Sequence, residues 1–252
     1  MLPEDRKVIQ ALAFSIASLA TAIFVSLFKL SWVDPVGSIL TIVAAFIGGY
    51  FITRQIRSSE KQQAKERNAK YLAARAAMPL TLSAVSTYAT RCADILREVY
   101  EARTGMTLHA IPGLPEIPSF PSEAIHEFRT LIEYGPTKIA GPIASLLGLI
   151  QVQRARIEQV GAWNSGRPAS GVDVWNVEQY IINTAEIYMR GGYLYEYARF
   201  EADQPRAIDI NAIRSGLRQL NFDESEGLIK RTESWRPRYE KDLDLSDPTG
   251  SA

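Results

Sequence analysis

Glu123 and His126 stand three residues apart, and Cys92 is the single thiol of the chain. On a helix, the spacing Glu-x-x-His sets a carboxylate beside an imidazole. Di-metal helical bundles use that pair twice, with a further glutamate from each of two other helices. This sequence carries the pair once, and its other histidine, His109, lies in a proline-rich stretch. His126 also falls beside the apolar stripe of Ile125, Phe128 and Ile132, outside its register. We read the pair as solvated helix surface and expect no metal and no cofactor.

Cys92 would serve as a nucleophile only next to a base such as histidine. Both histidines belong to loops or exposed faces, whereas Cys92 lies on a packing seam. That seam runs Leu82, Val85, Ala89, Cys92, Leu96 and Val99, with spacings of three and four residues. A cysteine there is a small core residue. The segment NSGRPASG, 164–171, is a turn; its glycines lack the strand-before, helix-after setting of a phosphate loop. Nothing has the spacing of a nucleophile elbow, a zinc site or a kinase signature. We expect no enzyme.

The elements that would position such residues are helices, and the chain reads as all-α. Val8 to Phe28 is a run of 21 residues without a charge, and Val36 to Thr53 is another of 18. A bilayer core of about 30 Å takes roughly 20 apolar residues in a helix. The first run is too long for the apolar part of a signal peptide, and a second follows at once. The two predict a transmembrane hairpin over 1–53, with spans 8–28 and 36–53. In the loop between them, Asp34 can cap the second helix and Pro35 suits its first turn. Trp32, Tyr50 and Phe51 are residue types found at membrane–water interfaces.

Arg6 and Lys7 precede the first span, and only Lys29 lies in the loop. Six cations follow the second span within twenty residues, among them Arg54, Arg57, Lys61 and Lys65 on one helical face. The positive-inside rule then puts both termini in the cytoplasm. These four set topology and face lipid headgroups. A bacterial inner membrane is the expected location. Small residues recur every fourth position, at Gly37, Thr41, Ala45 and Gly49 in one span and at Ala13 and Ala17 in the other. Such ridges let helices approach closely. We read them as packing the spans together, with remaining small faces open to a homo-oligomer. Neither span carries an Asp, Glu, Lys, Arg or His, which speaks against an ion pathway.

A charged exit helix is expected over 54–78, ending or kinking at Pro79. A helical bundle follows over 79–235. Prolines 112, 115, 118 and 121 mark a connector over 104–121 that buries Leu114, Ile117 and Phe120 rather than serving as a polyproline ligand. Further helices are expected over 122–134, from Gly141-Pro142 to Val160 (with Ile143, Leu146, Leu147, Ile150 and Val152 inward), over 173–200, over 208–220 and over 224–235. Gly191-Gly192 is either a close-packing point or a hinge. The tail 236–252 reads as disordered or loosely docked.

With 28 basic and 28 acidic residues, the balanced charge offers nothing to nucleic acid. The partners expected are the lipid bilayer, an unidentified cytoplasmic protein and further copies of the chain. The function that follows is a membrane-anchored interaction protein. An oligomerising membrane effector or pore former is the alternative, and an enzyme resting on Glu123 and His126 comes third.

Overall fold

The computed structural model describes residues 35–222 and 226–239, together with Ile23. Among these, every named element is an α-helix, and the only β pairing is an isolated bridge between Thr104 and Thr107. The all-α reading holds. By compactness the chain divides into two units, Met1–Glu66 and Arg67–Ala252.

In the first unit the predicted span 8–28, including Ala13 and Ala17, lies outside the described residues except for Ile23. The second predicted run is helical throughout. It opens α1, Pro35–Glu101, a helix of 67 residues. Its side chains are described from Ala44 onward, which leaves ten residues of that run up to Thr53. Among the described residues, no helix is long and apolar enough to cross a membrane. Asp34, the expected cap, also lies outside.

Pro79 does not end α1; it sits inside the helix. A proline there removes one backbone hydrogen bond, at a cost of about 3 kcal/mol. Met78, Leu82 and Val85 are wholly buried around it. A large apolar side chain contributes about 1.5–3 kcal/mol on burial, so this packing outweighs the lost bond. The seam predicted on α1 is present: Leu82, Val85, Ala89, Cys92, Leu96 and Val99 are all at 0% exposure.

The connector after α1 lies against the bundle. Pro118 and Phe120 are buried, and Leu114 and Ile117 are partly buried on the core. Phe120 meets Tyr88 edge to face at 5.4 Å between ring centroids. Asn164 clamps the connector's backbone, accepting from Ile111 N–H at 2.7 Å and donating to its carbonyl at 3.0 Å. At the connector's start, Gly105 takes a φ of +59° to close the turn that forms the Thr104–Thr107 bridge.

Helix α2, Ser122–Tyr134, buries Ala124, Phe128 and Leu131; Ile125 and Ile132 flank that face and are only partly covered. Helix α3 spans Thr137–Asn164, beginning four residues before the expected start. The signal at Gly141-Pro142 misleads because Ile139 and Ile143 are both buried and carry the helix through Pro142. Ile143, Leu146, Leu147 and Ile150 face inward as expected, but Val152 is exposed and Gln153 is buried in its place.

Helix α4, Val174–Tyr193, starts at an Asp173 cap that accepts from Asn176 N–H at 2.8 Å. It ends at Tyr193, short of Phe200; a one-turn α5, Tyr195–Ala198, follows. Every residue from Tyr180 to Ile187 is buried, so α4 is the centre of the bundle. It packs against α3, against α6 (Ile210–Gln219) and against α7 (Glu226–Ser234). Gly191 is a close-packing point and not an open joint: a Cβ there would meet Val85 Cγ1 of α1 at 3.1 Å. The tail reading needs correction at its start. Arg236 to Tyr239 are helical, and Tyr239 is 1% exposed. Residues 240–252 lie outside the described residues.

Candidate functional site

The residues singled out for chemistry do not assemble. Glu123, His126 and His109 are all exposed. Among the described residues no group of three or more His, Cys, Asp or Glu side chains could hold a metal ion. Cys92 is sealed in the core with the Tyr88 side chain as its polar neighbour. Burial pushes its thiol up to about 12. At pH 8 that leaves about one thiolate in ten thousand, too few for nucleophilic work. Iodoacetamide at pH 8 is therefore expected to leave the folded chain unlabelled and to add one equivalent in guanidinium. Rapid labelling of the folded chain would refute this placement.

The membrane-directed residues stand apart. Ala45 is exposed, Gly49 is half-buried, and a Cβ added at Gly48 or Gly49 would meet nothing within 4 Å. Gly37 and Thr41 are helical. Arg54, Arg57, Lys61 and Lys65 are all exposed. Ala45 and the four cations are not covered by any described residue.

Sequence reasoning missed three charged groups inside the bundle. Glu186 is fully buried on α4. Arg190, one turn on, reaches its Oε1 through Nε and Nη2, both at 2.8 Å. Tyr239 donates its hydroxyl to Oε2 at 2.9 Å, and Arg238 Nη2 stands 3.6 Å from Oε1. Burial, then the Glu186 charge, pushes the Tyr239 phenol well above its ordinary range. Two turns earlier, Glu178 accepts from Tyr100 at 3.0 Å and from Arg231 Nε at 3.1 Å. Arg231 also lies over the ring of Trp175, its guanidinium 4.6 Å from the centroid. Both carboxylates accept from donors on both oxygens, and they tie α1, α4, α7 and the residues after α7 together.

Arg75 of α1 is likewise fixed. It donates to the Tyr197 carbonyl at 2.8 Å and to Ala202 at 3.0 Å. Its guanidinium sits 4.0 Å from the Tyr197 ring centroid and 4.1 Å from that of Phe200. That stacking holds Phe200 at a φ of +64°, an unusual place for a bulky residue. The signal for the Glu186 pair was in the sequence as Glu-x-x-x-Arg within an otherwise aromatic helix. The Tyr239 contact had no signal, because its neighbours are charged.

One concavity brings three cations together. It is a cleft of about 230 Å³ whose wall includes Lys138 of α3, Arg190 and Tyr193 of α4, and Gln204 and Arg206 of the segment before α6. Pro142, Leu194 and Ile208 give it an apolar side. Arg206 lies over the Tyr193 ring, 5.0 Å from its centroid. No known protein family, curated protein or solved structure matches this chain.

Proposed function

We propose that this is a membrane-anchored interaction protein, held by a hairpin with spans 8–28 and 36–53 and presenting its helical bundle to a cytoplasmic partner. One observation carries the reading. At the start of α1, Phe46, Ile47, Tyr50, Phe51 and Ile52 are between 48% and 73% exposed, on all sides of the helix. Apolar surface contributes about 25 cal/mol per Å² when it leaves water, so a belt of this kind calls for a cover. The bilayer supplies one, and the uncharged run before it has the composition to continue there. The exposed cations Arg54, Arg57, Lys61 and Lys65 follow at once, where anionic headgroups would meet them.

The test is fractionation of cells expressing the full chain with a phosphatase reporter after Ala252. The chain is expected to stay with membranes through a high-salt wash and to leave them only in detergent. After Ala252 the reporter should be inactive, because it lies in the cell interior, and it should be active when moved to Ser31. Recovery in the soluble fraction without detergent would end the proposal.

The second reading, an oligomerising effector, draws on the open backbone faces at Gly48 and Gly49. It requires dye leakage on expression that Gly49→Leu abolishes. An anchor alone gives no leakage in either form.

A further inference from the structure

The basic cleft has a charge imbalance. Several arginines elsewhere on the bundle stand against carboxylates, as Arg154 does with Glu158, Arg214 with Glu233 and Arg231 with Glu178. A second groove, lined by Arg156 and Arg238, also has no acidic lining residue but holds one cation fewer. Three cations line the cleft, and none of its lining residues is acidic. Arg190 is partly neutralised by Glu186. Lys138 and Arg206 are exposed and form no ion pair with any described residue. Asp203 and Asp209, each three positions away, form no ion pair with Arg206, and Asp209 caps α6, where its Oδ1 accepts from Ala212 N–H at 2.7 Å.

The placement of Lys138 sharpens the point. It stands in the first turn of α3, which has no acidic residue and no side-chain cap. That end of a 28-residue helix carries the positive pole of the backbone dipole. A lysine there runs against the field, where an aspartate or glutamate would be favoured. An anion seated between Lys138 and Arg206 reverses the sign of that interaction. Arg190 and Arg206 are both held in place, one by its salt bridge and the other by Tyr193, so their donors are set before a ligand arrives. The apolar side formed by Pro142, Leu194 and Ile208 suits a short carbon skeleton.

From these observations we propose that the cleft binds the phosphate group of a small phosphate ester. Lys138 and Arg206 make the charged contacts, with Arg190 as a fixed third donor. The same chemistry is offered by a soluble organic phosphate and by a glycerophospholipid headgroup. Binding at this cleft does not depend on how the chain is anchored.

The experiment uses the full chain in uncharged maltoside micelles, with glycerol 3-phosphate as the soluble probe followed by phosphorus NMR. Phosphatidylcholine vesicles with and without phosphatidate supply the second arm. Wild type should bind at least one probe saturably. The Lys138→Gln/Arg206→Gln double variant should weaken that binding roughly tenfold or more, as two lost charge contacts require. Arg154→Gln, which removes a surface cation outside the cleft, should leave it unchanged. Both cleft residues are exposed and unpaired, so the double variant should keep the wild-type melting temperature. Binding of glycerol 3-phosphate assigns the site to soluble esters. Binding confined to phosphatidate vesicles, and lost in the double variant, assigns it to headgroups. No saturable binding in either arm, or binding that the double variant retains, overturns the proposal.

Discussion

Arg190→Ala is expected to destabilise the bundle by about 3–5 kcal/mol, the cost of leaving one partner of a buried ion pair alone. Glu186 has no exposed surface, and Arg190 supplies its two shortest charged contacts. Without them the carboxylate keeps only the Tyr239 hydroxyl and Arg238, which is half in water at 3.6 Å. Urea unfolding of the full chain in micelles measures the loss. The double variant Glu186→Leu/Arg190→Met should recover most of it, because apolar side chains of similar size leave no charge to desolvate. Arg154→Ala gives the scale for an ordinary surface pair: both partners are about half exposed, and water screens most of their attraction. If Arg190→Ala costs no more than Arg154→Ala, the carboxylate is not enclosed as described.

The second large effect is alkaline unfolding. Burial raises the Cys92 thiol, and it raises the phenols of Tyr88, Tyr197 and Tyr239 well above their ordinary range. In the unfolded chain a thiol ionises near pH 8.5 and a phenol near pH 10. The unfolded state therefore gives up these protons first, and high pH favours it. Stability is complete below about pH 8.5 and falls as pH rises, at about 1.4 kcal/mol per unit for each group once it titrates. From about pH 10 upward all four act together, which exhausts a typical stability of 5–15 kcal/mol within a few units. Helix content and tyrosinate absorbance should change together in one transition, and Cys92→Ala with Tyr88→Phe, which together break no hydrogen bond to any other described residue, should move it to higher pH. Buried phenols that ionise while the helices persist would contradict this account.

The two results concern features of unequal legibility. The seam from Leu82 to Val99 could be read because one face of α1 is buried and the 3-4 spacing survives intact. The connector was legible for a similar reason, since its prolines exclude a helix and its apolar side chains need cover. Two boundaries were misread, a stop or kink at Pro79 and a helix start at Gly141-Pro142, where local propensity argued for a boundary and buried neighbours outweighed it. Helix α4 was half read. A helix was expected over 173–200, but one buried on every side has no polar face, so nothing in the pattern marked Glu186 as enclosed. The cleft was not legible at all. Lys138, Arg190 and Arg206 are far apart in sequence, and only the packing of α3 against α4 brings them to one wall.

The central place of α4 has a bearing on synthesis. A chain leaving the ribosome completes α1, α2 and α3 before α4 appears, and those three can begin to pack as they emerge. Glu186, however, waits for a hydroxyl fifty-three positions downstream. Until that late tyrosine clears the exit tunnel, the heart of the nascent bundle holds an acid still in contact with water. Closure is thus a single late event, and any message that stops before codon 239 leaves it undone.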